Sequence, residues 1–135
     1  MKYITLTFLL FFFSQCRSTM DARTNDRNYE KSATAQLGKS FECQPNETNT
    51  MMLCLSISTD IKKFNSGNYA VISKKTGVVI YQNTLDNTQV TWYSDNEISL
   101  FNTPGMMREN DSKDNYTFIY NLNTKEQTRK VDLQK

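Results

Sequence analysis

From residue 41 onward, short apolar runs alternate with polar clusters, and within the runs the dominant period is two. Met51-Met52-Leu53-Cys54-Leu55-Ser56-Ile57-Ser58 places Leu53, Leu55 and Ile57 on one face of an extended strand. Tyr69-Ala70-Val71-Ile72-Ser73 and Val78-Val79-Ile80-Tyr81 flank Lys74-Lys75-Thr76-Gly77. Two β-branched runs around a short turn that ends in glycine predict a hairpin, because Gly77 takes a positive φ at little cost. Residues 89–93 and 98–101, around Ser94-Asp95-Asn96-Glu97, predict a second hairpin with Val90 and Trp92 on one face. Pro104-Gly105 ends it, since proline cannot donate to a ladder. Residues 108–115 read as a loop, and 116–122 as a strand with aromatics on alternate positions. After a turn at Asn123-Thr124-Lys125-Glu126, residues 128–133 predict a last, shorter strand.

Connections this short favour antiparallel neighbours, because parallel pairing needs a crossover of about a dozen residues or more. The expected fold is all-β: a single antiparallel meander of about seven strands, closed as a small barrel or folded as a sandwich, within residues 41–135. Before it, residues 17–40 hold only Met20, Tyr29 and Leu37 as large apolar groups. Such a polar stretch cannot offset the entropy of ordering, so 16–40 reads as a flexible tether. A helix over 28–37 would put Tyr29, Ala33 and Leu37 on one face, but it is too short and polar to be stable alone.

The extreme N-terminus has a different pattern. Lys2 is followed by Ile4-Thr5-Leu6-Thr7-Phe8-Leu9-Leu10-Phe11-Phe12-Phe13, ten residues with no charge, then by Ser14, Gln15 and Cys16. A basic start, a short apolar run and a small-residue end predict a secretory signal peptide over 1–15, since a spanning helix needs about 20 apolar residues. Phe13-Ser14-Gln15-Cys16 resembles the lipobox of bacterial lipoprotein precursors, in the looser form found in Bacteroidetes. It departs from the commoner pattern at Phe13, where leucine is usual, and at Gln15, where glycine or alanine is usual. The resemblance covers the signal segment alone. It implies lipidation of Cys16, which becomes the mature N-terminus, and attachment to the cell envelope, with the outer membrane as the expected site. Cleavage after Cys16, giving a soluble periplasmic or secreted protein, is the competing expectation.

Three cysteines fit either route. Cys43 and Cys54 remain as a pair in an oxidising compartment. If 41–44 and 51–55 form a hairpin around Thr48-Asn49, residues 43 and 54 lie directly opposite, close enough for a disulfide. Without Lys2 the chain carries 15 basic and 14 acidic side chains, with no basic face, so nucleic acid is not an expected partner.

The chain has no histidine, which removes the commonest general base and metal ligand. Four glycines form no phosphate cradle, and no G-x-S-x-G elbow occurs. The carboxylate pairs Asp95/Glu97 and Asp111/Asp114 fall in predicted turns, where a solvated role is the ordinary one. The acidic loop 109–115 lacks the glycine and the closing glutamate of a calcium-binding EF-hand. Asn46, Asn110 and Asn115 match the N-x-S/T sequon, which matters only in a eukaryotic secretory route. Met51/Met52 and Met106/Met107 could offer thioethers to Cu(I), but neighbours on a strand point to opposite faces.

No cofactor, metal or catalytic residue is therefore expected. The reading is a non-enzymatic, lipid-anchored envelope protein that binds a protein or glycan partner or assists assembly. Trp92, Tyr93, Met106 and Met107 are the candidate contact residues. The alternative is a small periplasmic inhibitor or immunity-like protein that blocks a hydrolase by inserting the loop 102–115.

Overall fold

The computed structural model describes residues 27–57 and 66–134. The expected signal peptide, Cys16 and the first part of the expected tether lie outside these residues. One helix, α1 (Arg27–Leu37), precedes eight strands: β1 (Phe41–Pro45), β2 (Met51–Ser56), β3 (Ser66–Ser73), β4 (Val79–Asp86), β5 (Thr88–Ser94), β6 (Glu97–Asn102), β7 (Thr117–Asn121) and β8 (Gln127–Arg129). Short 3-10 turns occupy Lys113–Tyr116 and Lys130–Gln134, so the last strand is shorter than expected.

Every paired strand is antiparallel and lies next to its sequence neighbour, as the short turns require. The pairing breaks once, between β4 and β5. The expected antiparallel meander is therefore divided between two four-stranded sheets, β1-β2-β3-β4 and β5-β6-β7-β8. The break falls at Asn87, the one residue between β4 and β5, whose φ of 51° is the left-handed conformation that asparagine tolerates. Its Nδ2 donates to the Thr103 carbonyl at 2.8 Å, and the Thr103 N–H donates back to the Asn87 carbonyl at 3.0 Å. This corner turns the chain from one sheet into the other.

The sheets form a sandwich. Leu53, Tyr69, Val71 and Leu85 of the first pack with Val90, Ile98, Leu100 and Leu122 of the second in one buried cluster. Cys43 and Cys54 are paired across β1 and β2 and joined by a disulfide, as their placement about the turn predicts. The hairpin tips are pinned to each other by Asn46. Its buried side chain accepts from the Thr50 and Met51 N–H groups at 2.8 and 2.9 Å and donates to the Asp95 carbonyl at 3.2 Å. A side chain engaged in this way presents no amide at the surface, so Asn46 is not an open sequon.

The folded unit begins earlier than residue 41, which corrects the tether boundary. Helix α1 lies on the outer face of the first sheet, where Ala33, Met52, Cys54, Ala70 and Ile72 are all buried and Tyr29 and Leu37 pack beside them. The face Tyr29-Ala33-Leu37 is the one the helical period provides; tertiary packing supplies the stability that its propensity does not. Gly38, at φ +87°, ends the helix, with its N–H on the Thr34 carbonyl at 3.0 Å. At the other end Gly77 serves twice. It takes φ +71° in the β3–β4 turn, and a Cβ there would lie 2.8 Å from the Asn28 carbonyl oxygen. Ser32 Oγ donates to the Gly77 carbonyl at 2.6 Å, closing the helix onto the turn.

Candidate functional site

A depression of the surface runs along β4, which lies at the rim of its sheet. It holds about 460 Å³. It is lined by Tyr81 and Gln82 of β4, by Tyr120, Leu122 and Lys125 of the second sheet, and by Gln36 of α1. A second pocket of about 240 Å³ lies farther along the same strand, lined by Leu37 of α1, by Asn68 and Tyr69 of β3, and by Asn83 and Thr84 of β4. Gln36 and Gln82 line both, so the two form one trench.

Its floor is aromatic because the inward positions of β3, β4 and β7 carry tyrosines. The Tyr81 and Tyr120 rings stack with centroids 4.3 Å apart, and Tyr69 tilts against Tyr81 at 6.0 Å. Asn83 Nδ2 donates to the Tyr81 hydroxyl at 3.1 Å. Burial, and then the hydrogen bond to Tyr81, pushes the Tyr69 phenol well above the ordinary range. Burial, and then the neighbouring Tyr81, raises Tyr120 as well. Both phenols therefore stay protonated near neutrality and act as neutral hydrogen-bonding groups. Among the described residues, the lining adds amides and one cation, Lys125, and contains no carboxylate or cysteine. Such a surface can hold a ligand through ring faces and hydrogen bonds.

The residues singled out from sequence lie elsewhere. Trp92 and Tyr93 are neighbours on β5 and point to opposite faces. Trp92 packs against the inter-sheet core, and its Nε1–H donates to the Gln44 carbonyl at 2.9 Å. Tyr93 is 48% exposed, and Met106 and Met107 stand out from the loop after β6 at 87% and 41%. None of the four lines the trench. Met52 is in the cluster under α1 and Met51 beside the inter-sheet cluster, on opposite faces of one strand.

The paired carboxylates have local structural partners. Asp95 Oδ1 accepts from the Thr48 N–H, and Glu97 accepts from Ser94 Oγ and Asn121 Nδ2. Asp111 accepts from the Tyr116 hydroxyl and the Arg108 N–H. Asp114 forms a 2.9 Å ion pair with Lys130, whose hydrogen bond holds its carboxyl below the usual range. Among the described residues, no three acidic or cysteine side chains are grouped to hold a metal ion.

Sequence reasoning missed Gln36, Tyr81, Gln82 and Lys125. A signal was present: from Val79 to Leu85 the strand carries no charge, proline or glycine, which is unusual for a strand with water beside it. No protein-family model matches the chain, and neither the curated proteins nor the solved structures contain a match to it.

Proposed function

We propose that this protein is a lipid-anchored, non-enzymatic binding domain of the bacterial cell envelope, which holds a protein or glycan partner in the trench along β4. The observation that supports this most is the lining: stacked tyrosines, amides and a lysine, groups that hold a partner by ring faces and hydrogen bonds. Lipidated Cys16 supplies the anchor. A second reading, the hydrolase inhibitor, draws on a different feature, the exposed Met106 and Met107 on their loop.

Site-specific photo-crosslinking in the native envelope separates the two. A photoreactive residue in place of Lys125 should give a discrete adduct, and one in place of Met106 should not. An adduct from position 106 alone would move the proposal to the inhibitor reading, and none from either position would end both. Intact-mass analysis of the envelope-derived chain checks the anchor. A mature chain beginning at Cys16 with added acyl mass is expected, and an unmodified chain starting at Arg17 overturns that part.

A further inference from the structure

We infer that the trench accepts its partner as an extended peptide that joins the first sheet as a fifth strand beside β4. The inference rests on the binding role proposed above and specifies how the trench is used.

The direction of each backbone group on β4 follows from the hydrogen bonds around it. In an antiparallel pair, residues alternate between bonding to one neighbour and facing the other. The Lys74 N–H donates to the Thr50 carbonyl and the Ser73 N–H donates to the Val78 carbonyl. On β3, even-numbered residues therefore bond to β2 and odd-numbered residues to β4. The Cys43–Cys54 pair, with Cα atoms 4.0 Å apart, is a non-hydrogen-bonded pair and requires the same alternation. Val71 faces Tyr81 and Tyr69 faces Asn83 in the β3–β4 register, so the odd residues of β4 make the ladder. Gln82, Thr84 and Asp86 thus turn their N–H and C=O groups away from the sheet. One contact agrees independently: the Thr84 N–H donates to the side chain of its own neighbour, Asn83 Oδ1, at 2.8 Å. The Asp86 carbonyl is met by Thr88 Oγ1 at 2.9 Å. Gln82 keeps both backbone groups directed into the trench.

The middle of β4, around Gln82, has none of the features that blunt the other rims. β1 carries Glu42 and Pro45, and its Gln44 carbonyl is taken by Trp92. β8 has three residues and includes Arg129. β5 is interrupted by a register shift between Trp92 and Ser94. Folded proteins blunt free rims with charge, proline, shortness or bulges, because an open rim is a template for another chain. β4 has a register irregularity only at its start, and from Tyr81 to Leu85 it is regular and uncharged.

The shape of the site selects the occupant. Gln36 of α1 and Tyr120, Leu122 and Lys125 of the second sheet all reach the β4 rim. A lone guest strand adds only one strand spacing, about 4.8 Å, beside that rim, whereas the β4 rim of a second copy brings a helix and a second sheet with it. The two depressions follow one another and meet at Gln82, so they can receive alternate side chains of a guest strand. Lys125, the one charge of the lining among the described residues, calls for a guest carboxylate at the trench end. The partner is then an extended peptide segment with apolar side chains at alternate positions and one acidic residue.

The test uses the processed chain purified from its native envelope and a displayed library of random peptides. Selected peptides should share the alternating pattern and one acidic residue, and should slow amide exchange at Gln82. Gln82→Pro deletes the outward N–H without touching the ladder and should weaken binding about tenfold or more, whereas Gln82→Ala keeps that N–H and should stay within about threefold. Methylating alternate peptide amides tests the same bonds without altering the protein and should abolish binding in one of the two phases. Selected peptides insensitive to both perturbations would refute strand addition. So would competition by a peptide of residues 17–26, which makes this chain its own occupant, or dimers whose dissociation exposes the Gln82 amide. If no peptide is enriched while a crosslinker at position 125 still traps a partner, strand addition falls and the envelope-binding reading survives.

Discussion

Replacing Ala33 with leucine tests whether α1 belongs to the folded unit. Ala33 has no exposed surface and sits in the cluster with Ala70, Cys54 and Ile72, so small side chains meet where helix and sheet approach. Three further carbons have no space there, and overpacking of this kind costs about 1–3 kcal/mol. For a domain of about 100 residues, each kcal/mol moves Tm by about 4–8 °C. The expected fall is therefore about 4 °C at least and can exceed 10 °C. Thr34→Leu is the control, because Thr34 lies on the exposed face of the same helix and a surface change there stays within about 0.5 kcal/mol. Thermal unfolding followed by circular dichroism reads both. Equal melting temperatures for Ala33→Leu and Thr34→Leu would mean that the helix does not pack on the sheet and that the domain begins at Phe41 after all.

Other consequences can be measured on the same chain. Asn46→Ala leaves the Thr50 and Met51 N–H groups without their side-chain acceptor and should cost about 1–3 kcal/mol in urea unfolding; a change below 0.5 kcal/mol would contradict the pinning role. Cys43→Ala with Cys54→Ala opens a loop of sequence separation 11 and should lower stability by about 3 kcal/mol relative to the oxidised protein. An unchanged midpoint would count against the bridge. Tyr69 is raised above the ordinary phenol value of 10.0, so its contribution is complete below that pH and is lost as pH climbs through the native value, where the unfolded phenol has already ionised. Denaturant midpoints should fall on the alkaline side of 10.0, and less steeply in Tyr69→Phe; identical slopes would show that this phenol is not the titrating group.

The strands were legible because their signals are local. A period of two, turn residues at the tips and the symmetry of 43 and 54 about their turn are enough to set the β1–β2 register. A sandwich was one of the two expected outcomes, but the point of division was not legible, since the corner is a lone asparagine whose positive φ looks like any polar turn residue. The docked helix left a trace in β3. Tyr69-Ala70-Val71-Ile72 is buried at every position, and four such residues in succession mark a strand covered on both faces. Alternation accounts for the face against the second sheet but needs a second cover for Ala70 and Ile72. The trench was hidden for another reason. Its residues come from α1, β3, β4, β7 and the β7–β8 turn, and only the three-dimensional arrangement brings Gln36, Tyr81 and Lys125 to one place.

The docking of α1 also shortens the leash. Were residues 17–40 all extended, the domain could stand about 80 Å from a lipid on Cys16; with α1 docked from Arg27, at most residues 17–26 can span the gap, and covalent geometry caps their reach at about 35 Å. On the proposed anchor, the β4 trench patrols a thin shell close to the bilayer. Its partners must come to the membrane surface or already be fixed there, and lengthening the 17–26 segment becomes a way to extend the territory without altering the binding surface.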